Sequence, residues 1–451
     1  MKKIAVIGGG ISGLTIAYLL MDKRPDIDVT VYEADKRPGG KIWTEKADGY
    51  LCERGANGFL DNKPMTLELC ESLGIEPVRS NQNSKKRFIF SGGKLNALPE
   101  SPASFIKSDL LSWPGKIRLI GELIAPKGPD DETVAAFITR RLGKEALEKL
   151  IDPMCSGVYA GDPYNMSMKS CFPRIKELEQ EYGGLIRAMI KIRKERKNEN
   201  VSAAPGGNLT SFYDGAQTIT DSLARKIGER LRLNVPVQGI SMDNGRYRIY
   251  TADNTADADI VVMASPAYAS SGILKGMDIE LSKILSTIPY PHVAVVCSGY
   301  KRENVTHPLN GFGFLVPHRE GRKILGTLWD SSIFPNRASG DRVLLRTMIG
   351  GAKRPEMADL DDDNISDIVF NELKHLLGLK KDPDMLRVYR WDKAIPQYIP
   401  GHIDKLKLID ERLKKYPGLY LTGNAYRGIG INDCVKNGYE IADKILQDIK
   451  H

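Results

Sequence analysis

Three glycines near the amino terminus have the spacing of a loop that binds the pyrophosphate of a dinucleotide. Gly8, Gly10 and Gly13 directly follow the apolar run Ile4–Ile7. In the G-x-G-x-x-G pattern the first glycine permits a tight turn, the second lets a pyrophosphate approach the backbone, and the third lets the next helix pack closely on the strand. The N–H groups of a helix that begins at Ser12 would then face the phosphates.

A carboxylate stands at the end of the second apolar strand. Val29–Tyr32 is followed by Glu33, twenty positions after Gly13. A carboxylate at this position accepts hydrogen bonds from a ribose 2′-OH and repels a 2′-phosphate. The segment therefore predicts a nucleotide-binding βαβ unit that takes NAD or FAD and not NADP.

Two further glycine-rich stretches favour one of these two ligands. They are RPGGK at 37–41 and ERGAN at 53–57. A long, bent dinucleotide needs backbone contacts along its pyrophosphate and ribityl chain, so FAD fits better than NAD. Arg37, Lys41 and Arg54 can neutralise phosphate charge, although we expect at least one of them to be an ordinary solvated residue.

Length and composition limit the classes of protein that fit. At 451 residues the chain exceeds the usual size of one core, so we expect two or more lobes. The net charge of +8 comes with no nucleic-acid-binding motif, and no apolar run is long enough to span a bilayer. The six cysteines and six histidines lack metal-ligand spacing, so redox chemistry is expected to come from an organic cofactor. With no visible signal peptide, we expect a cytoplasmic protein that is soluble or peripherally bound.

The spacing of apolar residues predicts the elements that position these motifs. A break at 203–207 (AAPGG) separates a mostly helical region from the strands that follow it. The predicted elements are the helix Pro64–Leu73, the strand pair Arg87–Ser91 and Lys94–Leu98, helices at Gly115–Ile124, Glu132–Leu142, Lys144–Ile151 and Gly184–Arg196, the helix Gln217–Leu231, the strand Val235–Ile240, antiparallel strands within His292–Ile349, the helix Ile365–Leu377, the strand Leu419–Thr422 and a final helix from about Asp433 to Ile449.

These elements predict an α/β plus α+β fold with three domains. A Rossmann-like FAD-binding domain is built from the discontinuous segments 1–80, 203–266 and 386–451. An antiparallel-sheet substrate-binding domain takes 81–100 and 267–385. A helical domain takes 101–202.

One helical segment has two interpretations. Residues 104–125 (SFIKSDLLSWPGKIRLIGELIA) mix large apolar side chains with lysine and arginine. This composition fits an interfacial membrane patch, and it equally fits an amphipathic helix that faces the core.

Several motifs resemble those of the oxygen-dependent protoporphyrinogen oxidases, within the amine-oxidase-like flavoproteins. The resemblance extends from end to end, and its internal motifs are more specific than its first and last ones. They are Arg87-Phe88 with LNALP at 95–99, GVYAGD at 157–162, SCFP at 170–173, GFGFLVP at 311–317, FPNRA at 334–338, IGGAK at 349–353, WDKAIPQY at 391–398 and GNAYRGIGINDC at 423–434.

The resemblance implies a set of site residues. Non-covalent FAD would contact Gly8, Gly9, Gly10, Ile11, Ser12, Gly13, Glu33, Lys41, Gly55, Ala56, Asn57, Gly58, the backbone of Val237 near the adenine, Trp391 beside the isoalloxazine, and Gly430, Ile431 and Asn432 at the pyrimidine end. Arg87 would bind a propionate of the substrate, and Gly157 would leave room for the macrocycle. The remaining substrate-binding residues would be Phe88, Leu315 and Phe334.

The resemblance also implies a reaction, the oxidation of protoporphyrinogen IX to protoporphyrin IX. Flavin N5 would accept hydride from a methylene bridge, O2 would reoxidise the flavin and yield hydrogen peroxide, and three such cycles would give the aromatic porphyrin. The protein would mainly bind and orient the substrate, with no catalytic side chain and no metal.

Two alternatives to this reaction remain open. The first is oxidation of coproporphyrinogen III, whose four propionates call for more cations than Arg87 alone; Lys63, Lys85, Lys86 and Lys94 lie nearby in the sequence. The second is a flavin-free binding protein of the same fold. The sequence also leaves open a homodimer and peripheral contact with the inner face of the cytoplasmic membrane.

Overall fold

The computed structural model describes residues 2–196 and 207–450. Most of the predicted break at 203–207 and the 202/203 domain boundary lie outside this range. The strands are β1 Lys3–Ile7, β2 Asp28–Tyr32, β3 Thr44–Ala47, β4 Tyr50–Glu53, β5 Phe59–Leu60, β6 Val78–Arg79, β7 Arg87–Ser91, β8 Lys94–Ala97, β9 Leu209–Ser211, β10 Leu231–Arg232, β11 Val237–Asp243, β12 Arg246–Thr251, β13 Thr255–Ala258, β14 Ile260–Met263, β15 Val293–Lys301, β16 Gly313–Leu315, β17 Ile324–Leu328, β18 Arg342–Gly350, β19 Met385–Trp391 and β20 Leu419–Leu421.

The helices are joined in places by short 3₁₀ turns. They are α1 Ile11–Lys23, α2 Pro64–Leu73, α3 Pro102–Lys107, α4 Trp113–Ile120, α5 Val134–Leu142, α6 Lys144–Ala146, α7 Asp152–Tyr159, α8 Met168–Cys171, α9 Pro173–Tyr182, α10 Leu185–Arg196, α11 Gln217–Ile227, α12 Ala267–Leu274, α13 Ile279–Ser286, α14 Asp330–Ile333, α15 Asp362–Leu377, α16 His402–Leu413 and α17 Ile431–Lys450.

A parallel five-stranded sheet carries the nucleotide-binding motif. Its strand order is β10-β2-β1-β14-β20, and every neighbouring pair is parallel. Both faces are covered: Ile4 and Val6 point into a core shared with α1, α11 and α17, while Ala5 and Ile7 point into a second core shared with α12 and α13. This burial explains why the strands are apolar throughout, as parallel strands usually are.

The two ends of the chain meet on this sheet. Helix α17 packs along α1, where a Cβ on Gly438 would come within 3.0 Å of Thr15, so glycine permits the close approach. Lys23 and Asp443 form an ion pair at 2.7 Å. Helix α17 begins at Ile431, two residues before the predicted start.

A seven-stranded sheet forms the second layer system. Its order is β19-β15-β18-β17-β16-β7-β8, and its neighbours are antiparallel, as predicted, except for the parallel pair β16 and β7. Strand β19 pairs with β15 in this sheet, whereas α12 and α13 pack on the parallel sheet. The prediction placed nearly all of β19 in the FAD-binding segment 386–451, and α12 and α13 in the substrate-binding segment 267–385, so both placements differ from it. The three-domain division stays a prediction.

Two predicted helices have different ends in the structure. The helix predicted for Gln217–Leu231 ends at Ile227, and Leu231–Arg232 forms the edge strand β10. The helix predicted for Lys144–Ile151 passes through one π-helical turn and continues as α7. Gly157 therefore lies within helix α7. The chain turns after that helix, at Ala160, where φ is 47°.

Fully buried ion pairs hold the helical region together. The Arg141 guanidinium contacts the carboxylates of Glu122 at 3.0 Å and Glu179 at 2.8 Å, and all three side chains are buried. Glu122 also accepts hydrogen bonds from the N–H groups of Leu185 and Ile186, at the start of α10. Breaking one partner of a buried pair leaves an uncompensated charge, so this network fixes how α10 lies against residues 121–124.

Candidate active site

The first glycine loop has the geometry that its spacing predicts. Gly8 has φ 115°, a value that favours glycine. A Cβ on Gly13 would overlap the carbonyl oxygen of Gly8, so glycine is required for α1 to begin this close to β1. A Cβ on Gly10 would meet nothing within 4 Å. The second glycine thus faces open space, as a site for an approaching ligand requires.

Glu33 lies beside this loop. Its carboxylate accepts hydrogen bonds from the N–H of Gly9 at 2.6 Å and of Asp35 at 2.8 Å. The backbone of the segment before β11 joins the same corner, because the N–H of Val235 donates to the carbonyl of Glu33 at 2.9 Å. Val237, two residues further on, is buried in β11. The structure thus brings Glu33 and Val237 to one end of the site.

The second glycine stretch lies against the first. Gly10 and Gly39 form an isolated parallel bridge, and a Cβ on Gly40 would come within 3.4 Å of the Gly10 Cα. Arg37 stabilises this stretch from within, donating to the carbonyls of Pro38 at 2.8 Å and Ile42 at 3.2 Å. Burial lowers the pKa of Arg37 to about 10. Its guanidinium is thus used by its own loop.

Two of the three candidate phosphate-binding cations stack on one indole ring. Arg37 lies 3.8 Å and Arg54 lies 3.3 Å from the centroid of Trp43. Arg54 also pairs with Glu45 at 3.6 Å. These contacts give both arginines structural roles.

Lys41 is placed differently. Its Nζ donates to the carbonyl oxygen of Lys393 at 2.5 Å and also to that of Ala394, and it lies 5.0 Å from the ring centroid of Tyr290. Burial lowers the pKa of Lys41 to about 8. Among the described residues no carboxylate pairs with this ammonium, which fits a site that receives negative charge from a ligand.

The third glycine stretch completes the site. A Cβ on Gly55 would overlap the carbonyl oxygen of Lys41 and lie 3.9 Å from Trp391. The Trp391 indole N–H donates to the carbonyl of Arg54 at 2.7 Å. Gly55, Lys41 and Trp391 are therefore neighbours. We refer to Gly8–Gly13, Gly39–Lys41 and Gly55–Gly58 together as the glycine cradle.

Sequence reasoning missed two buried ion pairs behind the cradle. Arg337 contacts Glu53 at 3.1 Å and Arg346 contacts Asp330 at 3.0 Å, all with nearly no exposure. Arg346 also donates to the carbonyl of Gly55 at 2.7 Å. Arg337 stands in the FPNRA motif, but nothing in its spacing indicates a partner nearly 300 positions away.

The carboxyl-terminal turn is tied to other parts of the chain. The side chain of Asn432 donates to the carbonyl of Leu60 at 2.9 Å and accepts from the hydroxyl of Thr66 at 2.6 Å. The N–H of Gly430 donates to the Asp433 carboxylate at 3.1 Å. Ile431 is buried in the core beside α1. Gly430, Ile431 and Asn432 thus lie where α17 begins, beside β5 and α2.

The cradle residues fit FAD. Gly10 directly precedes helix α1, and no side chain caps the free N–H groups of the helix, so an anion can occupy that end. Asn57 donates to Asp330 at 3.3 Å, yet its buried Oδ1 atom has no hydrogen-bond partner in the protein. Ala56 and Gly58 flank it. Buried polar atoms are rarely left unpaired, so a ligand at this position would satisfy Asn57.

The seven-stranded sheet separates the predicted substrate-binding residues. Alternate residues of a strand point to opposite faces, and Arg87 is level with Gly313 while Phe88 is level with Phe314. Phe88 packs on Trp329 at 5.3 Å between ring centroids, in the core that includes α15. Arg87 and Leu315 share the other face, where a Cβ on Gly157 would overlap the Leu315 side chain.

Phe334 lies apart from both groups. It is 1% exposed, and the Arg337 guanidinium lies 4.9 Å from its ring centroid. The structure thus brings Arg87, Gly157 and Leu315 towards one face, places the half-buried Phe88 against the core on the other face and buries Phe334.

Comparison with known proteins identifies the family. The model for flavin-containing amine oxidoreductases matches residues 11–446. The chain belongs to this family.

Relatives and a solved structure agree with that assignment. The chain is 37% identical to the chloroplastic protoporphyrinogen oxidase of Oryza sativa subsp. japonica, over 98% of this chain and 87% of the relative. It is 32% identical to the coproporphyrinogen III oxidase of Bacillus subtilis, over 97% and 96%. A crystal structure of an Exiguobacterium protein, provisionally named a protoporphyrinogen oxidase, superposes with a TM-score of 0.86 at 27% identity, covering 100% of this chain and 99% of the other.

The protein is an FAD-dependent oxidoreductase with an amine-oxidase-like FAD-binding fold. The predictions of the fold family and of FAD are confirmed, against the flavin-free alternative. The residue roles stay predictions, because the protein's contacts alone do not assign them.

The oxidoreductase has two further residues on the face of Arg87 and Leu315. Leu328 pairs with Gly313, and Met348 pairs with Gly326, which in turn pairs with Leu315. Both side chains are partly exposed, and Met348 packs in the same apolar cluster as Trp391. Alternation within the two strands could have indicated these residues. Without the pairing register, the sequence does not show which face is which.

Proposed function

We propose that this oxidoreductase converts protoporphyrinogen IX to protoporphyrin IX, with O2 as the final acceptor and hydrogen peroxide as the by-product. The observation that carries the proposal is the sheet face that joins an unpaired cation, Arg87, to an apolar surface containing Leu315, Leu328 and Met348. A tetrapyrrole with propionates on one edge and an apolar body needs such a surface. The relatives named protoporphyrinogen oxidase support this choice.

Arg87 is suited to bind a propionate. Its side chain is exposed, its guanidinium lies 5.3 Å from the ring centroid of Phe312, and among the described residues no carboxylate pairs with it. A guanidinium can hold a carboxylate through two parallel hydrogen bonds. The aromatic ring beneath it limits its orientations before the substrate arrives.

Gly157 and Leu315 together set the width of the substrate space. Any larger residue at position 157 would displace the flexible end of Leu315. Helix α7 can therefore lie close to β16. We expect the macrocycle to lie along this face and to be oriented mainly by shape.

Bound FAD supplies the two-electron oxidation, and the side chains bind and orient. Trp391 is fixed by its hydrogen bond to Arg54 and lies beside Gly55. Met348 packs in the same cluster and connects the cradle to the substrate face. We expect this continuity to bring the carbon that is to be oxidised close to the cofactor.

Substitution of Arg87 by Ala tests the proposal. If the guanidinium binds ground state and transition state equally, KM rises at least tenfold while kcat changes little. Initial rates on protoporphyrinogen IX provide the measurement, and Lys301→Ala, an exposed lysine at the end of β15, is the control. Unchanged KM for Arg87→Ala would remove this residue from the site.

Oxidation of coproporphyrinogen III is the second candidate. Lys85 and Lys86 are exposed and directly precede Arg87, so more than one cation is available to bind extra propionates. The Bacillus subtilis relative is named for this activity. The ratio of kcat/KM on the two porphyrinogens decides, and a strong preference for the copro form would overturn our choice.

We also propose that the helical region binds membranes peripherally. Trp113, Ile117 and Ile120 of α4 are 63–65% exposed, and Ile124 after it is 86% exposed. Helix α10, which contacts the same turn, exposes Met189 and Ile190. The core-facing alternative holds only for Leu110 and Leu111, which are buried. Among the described residues, no helix is long and apolar enough to span a bilayer.

Basic side chains accompany this apolar surface. Lys116 lies 4.7 Å from the Trp113 ring centroid, and Arg187 donates to the carbonyl of Leu123 at 2.8 Å. Apolar area and nearby cations together favour an anionic bilayer surface. In flotation with anionic vesicles, the wild type should float with the vesicles and a Trp113→Ser, Ile117→Ser variant should not. The control is Leu408→Ser, which replaces an exposed leucine on α16 and should float as the wild type does. Equal flotation of all three would rule out the patch.

A further inference from the structure

A small basic cavity lies where the helical region meets the seven-stranded sheet. It has a volume of about 30 Å³ and lies between the end of α7 and the segments that follow β16 and β18. Its polar lining includes His318, Lys323, Lys353, Arg354 and Asp152. The cavity is too small for a macrocycle, and Lys323 in its lining is exposed, so a small ligand bound there would also reach solvent.

Cations exceed anions in this lining. Lys353 pairs with Asp152 and lies 3.6 Å from Asp162, so its charge is balanced. The Arg354 guanidinium donates to the carbonyl of Arg322 at 3.0 Å, and among the described residues no carboxylate pairs with the side chain of Arg354 or of Lys323; the main-chain N–H of Lys323 donates to Glu372 at 3.0 Å. Two cations therefore remain for a ligand.

The pKa of the His318 imidazole, which lines the cavity, agrees with this excess of positive charge. The pKa of His318 is lowered by burial and then by the nearby charges of Lys353 and Arg354. The main-chain N–H of His318 donates to the Asp152 carboxylate at 2.8 Å. An incoming anion would thus meet net positive charge, because Asp152, the carboxylate in the lining, is already bound by Lys353 and His318.

We propose that this cavity binds one small oxyanion, a carboxylate or a phosphate, through Lys323 and Arg354. A guanidinium and an ammonium can together saturate such a group with charge-assisted hydrogen bonds. The oxyanion can come from solution or from the tetrapyrrole itself.

The position of the cavity makes the second source possible. Ala160, Leu325 and Val316 line it, and the first two pack in the apolar cluster that contains Met348 of the substrate face. Val316 is three residues beyond Gly313, the residue level with Arg87, which corresponds to roughly 10 Å along the strand. A propionate on the edge opposite Arg87 would therefore point towards this cavity. Protoporphyrinogen IX carries both propionates on one edge, so this second source rests on the second candidate of the proposed function, coproporphyrinogen III, whereas the oxyanion site itself rests on neither.

Inorganic phosphate tests the site directly. Calorimetric titration of the holoenzyme at constant ionic strength, in an Arg87→Ala background that removes the guanidinium of the substrate face, should show one bound phosphate. The Lys323→Gln, Arg354→Gln variant should bind it at least tenfold more weakly, and Lys323→Gln alone should give an intermediate loss. A Lys301→Gln, Lys381→Gln variant, altered at exposed lysines elsewhere, should bind as tightly as the parent. No phosphate binding, or equal affinity in all variants, would overturn the site.

Two porphyrins distinguish the sources of the oxyanion. Coproporphyrin III carries four propionates and protoporphyrin IX two, and fluorescence quenching gives the affinity of each for the holoenzyme. If the cavity binds a substrate carboxylate, the double variant Lys323→Gln, Arg354→Gln lowers the affinity for coproporphyrin III at least tenfold and the affinity for protoporphyrin IX by less. If it takes only a free anion, phosphate binding falls and both porphyrin affinities stay unchanged. Failure of both porphyrins to bind the unsubstituted enzyme would count against the proposed function and leave the phosphate result standing.

Discussion

Helices α1 and α17 both begin at glycine-rich turns on the same sheet, yet their amino termini are completed differently. At α1, Gly10 faces open space and no side chain caps the helix. At α17, the Asp433 carboxylate accepts from the N–H of Gly430, and Asn432 is bound to Leu60 and Thr66. A helix amino terminus favours negative charge in either case. The first is left for a ligand, whereas the second is neutralised by the protein's own side chain.

This difference changes what the carboxyl-terminal turn can do. The resemblance implies that Gly430–Asn432 lie at the pyrimidine end of the flavin, where the positive field of a helix amino terminus would favour negative charge. Because Asp433 already occupies part of that field, the turn serves first to fix α17 against β5 and α2. Of the two helix ends, the one at α1 is left without a side-chain cap, and the contact of Gly430–Asn432 with the flavin stays a prediction.

The largest expected effect comes from Gly13→Ala. Glycine to alanine within a helix normally stabilises, but here the added Cβ would overlap the carbonyl oxygen of Gly8. We expect the free energy of unfolding of the apoprotein to fall by about 3 kcal/mol, measured by urea denaturation. A loss below about 1 kcal/mol would show that the strand and helix can separate without cost.

Gly10→Ala is the matched substitution three positions earlier. A Cβ there meets no protein atom within 4 Å, so the unfolding free energy should change by less than about 1 kcal/mol. The dissociation constant of FAD should nevertheless rise at least tenfold, measured by flavin fluorescence, because the methyl group occupies the approach to the backbone. Unchanged FAD affinity would contradict the view that α1 is the open end.

The third prediction concerns pH and Lys41. The native pKa of about 8 lies below the usual 10.5, so between these pH values the unfolded chain retains a proton that the native protein has lost. Stability of the apoprotein therefore rises with pH in this window, by about 1 kcal/mol from pH 8 to pH 9. Comparison of unfolding curves with those of Lys41→Met isolates this contribution.

Lys36→Met is the control for this measurement. Lys36 is exposed in the same loop, and its substitution should leave the rise intact. Bound FAD should reduce the rise if its negative charge reaches Lys41, since an adjacent anion favours the ammonium form. An identical slope in Lys41→Met and wild type would remove Lys41 as its source.

The smallest effect is expected for Asp433→Asn. Loss of the carboxylate at the start of α17 should lower the unfolding free energy by about 0.5 kcal/mol and change FAD affinity less than threefold. Glu440→Gln, on the same helix beyond its first turn, should have no dipole effect. Marked tightening of FAD by Asp433→Asn would show that the carboxylate competes with the cofactor, and the two helix ends would then be alike.

Local motifs were predictable because their geometry follows from neighbouring residues. Gly8, Gly13 and Glu33 have the arrangement that their spacing indicated, since each contact lies within one βαβ unit. From the sequence, Arg37, Arg54 and Lys41 were equivalent candidates for binding phosphate. The structure separates them, because both arginines stack on Trp43 and Lys41 does not. The sequence offered no signal for that choice.

The sequence by itself determined a dinucleotide-binding unit, the preference for FAD and, through motifs spread along the chain, the resemblance to porphyrinogen oxidases. Only the tertiary structure decided which residues share a surface. Arg87 and Phe88 are adjacent in sequence, yet the pleat sends them to opposite faces of the sheet. Leu315, Leu328 and Met348 come together because three strands pair in one register. Residue spacing specifies short-range geometry, whereas register is set by burial of one whole face, which depends on the complete sheet.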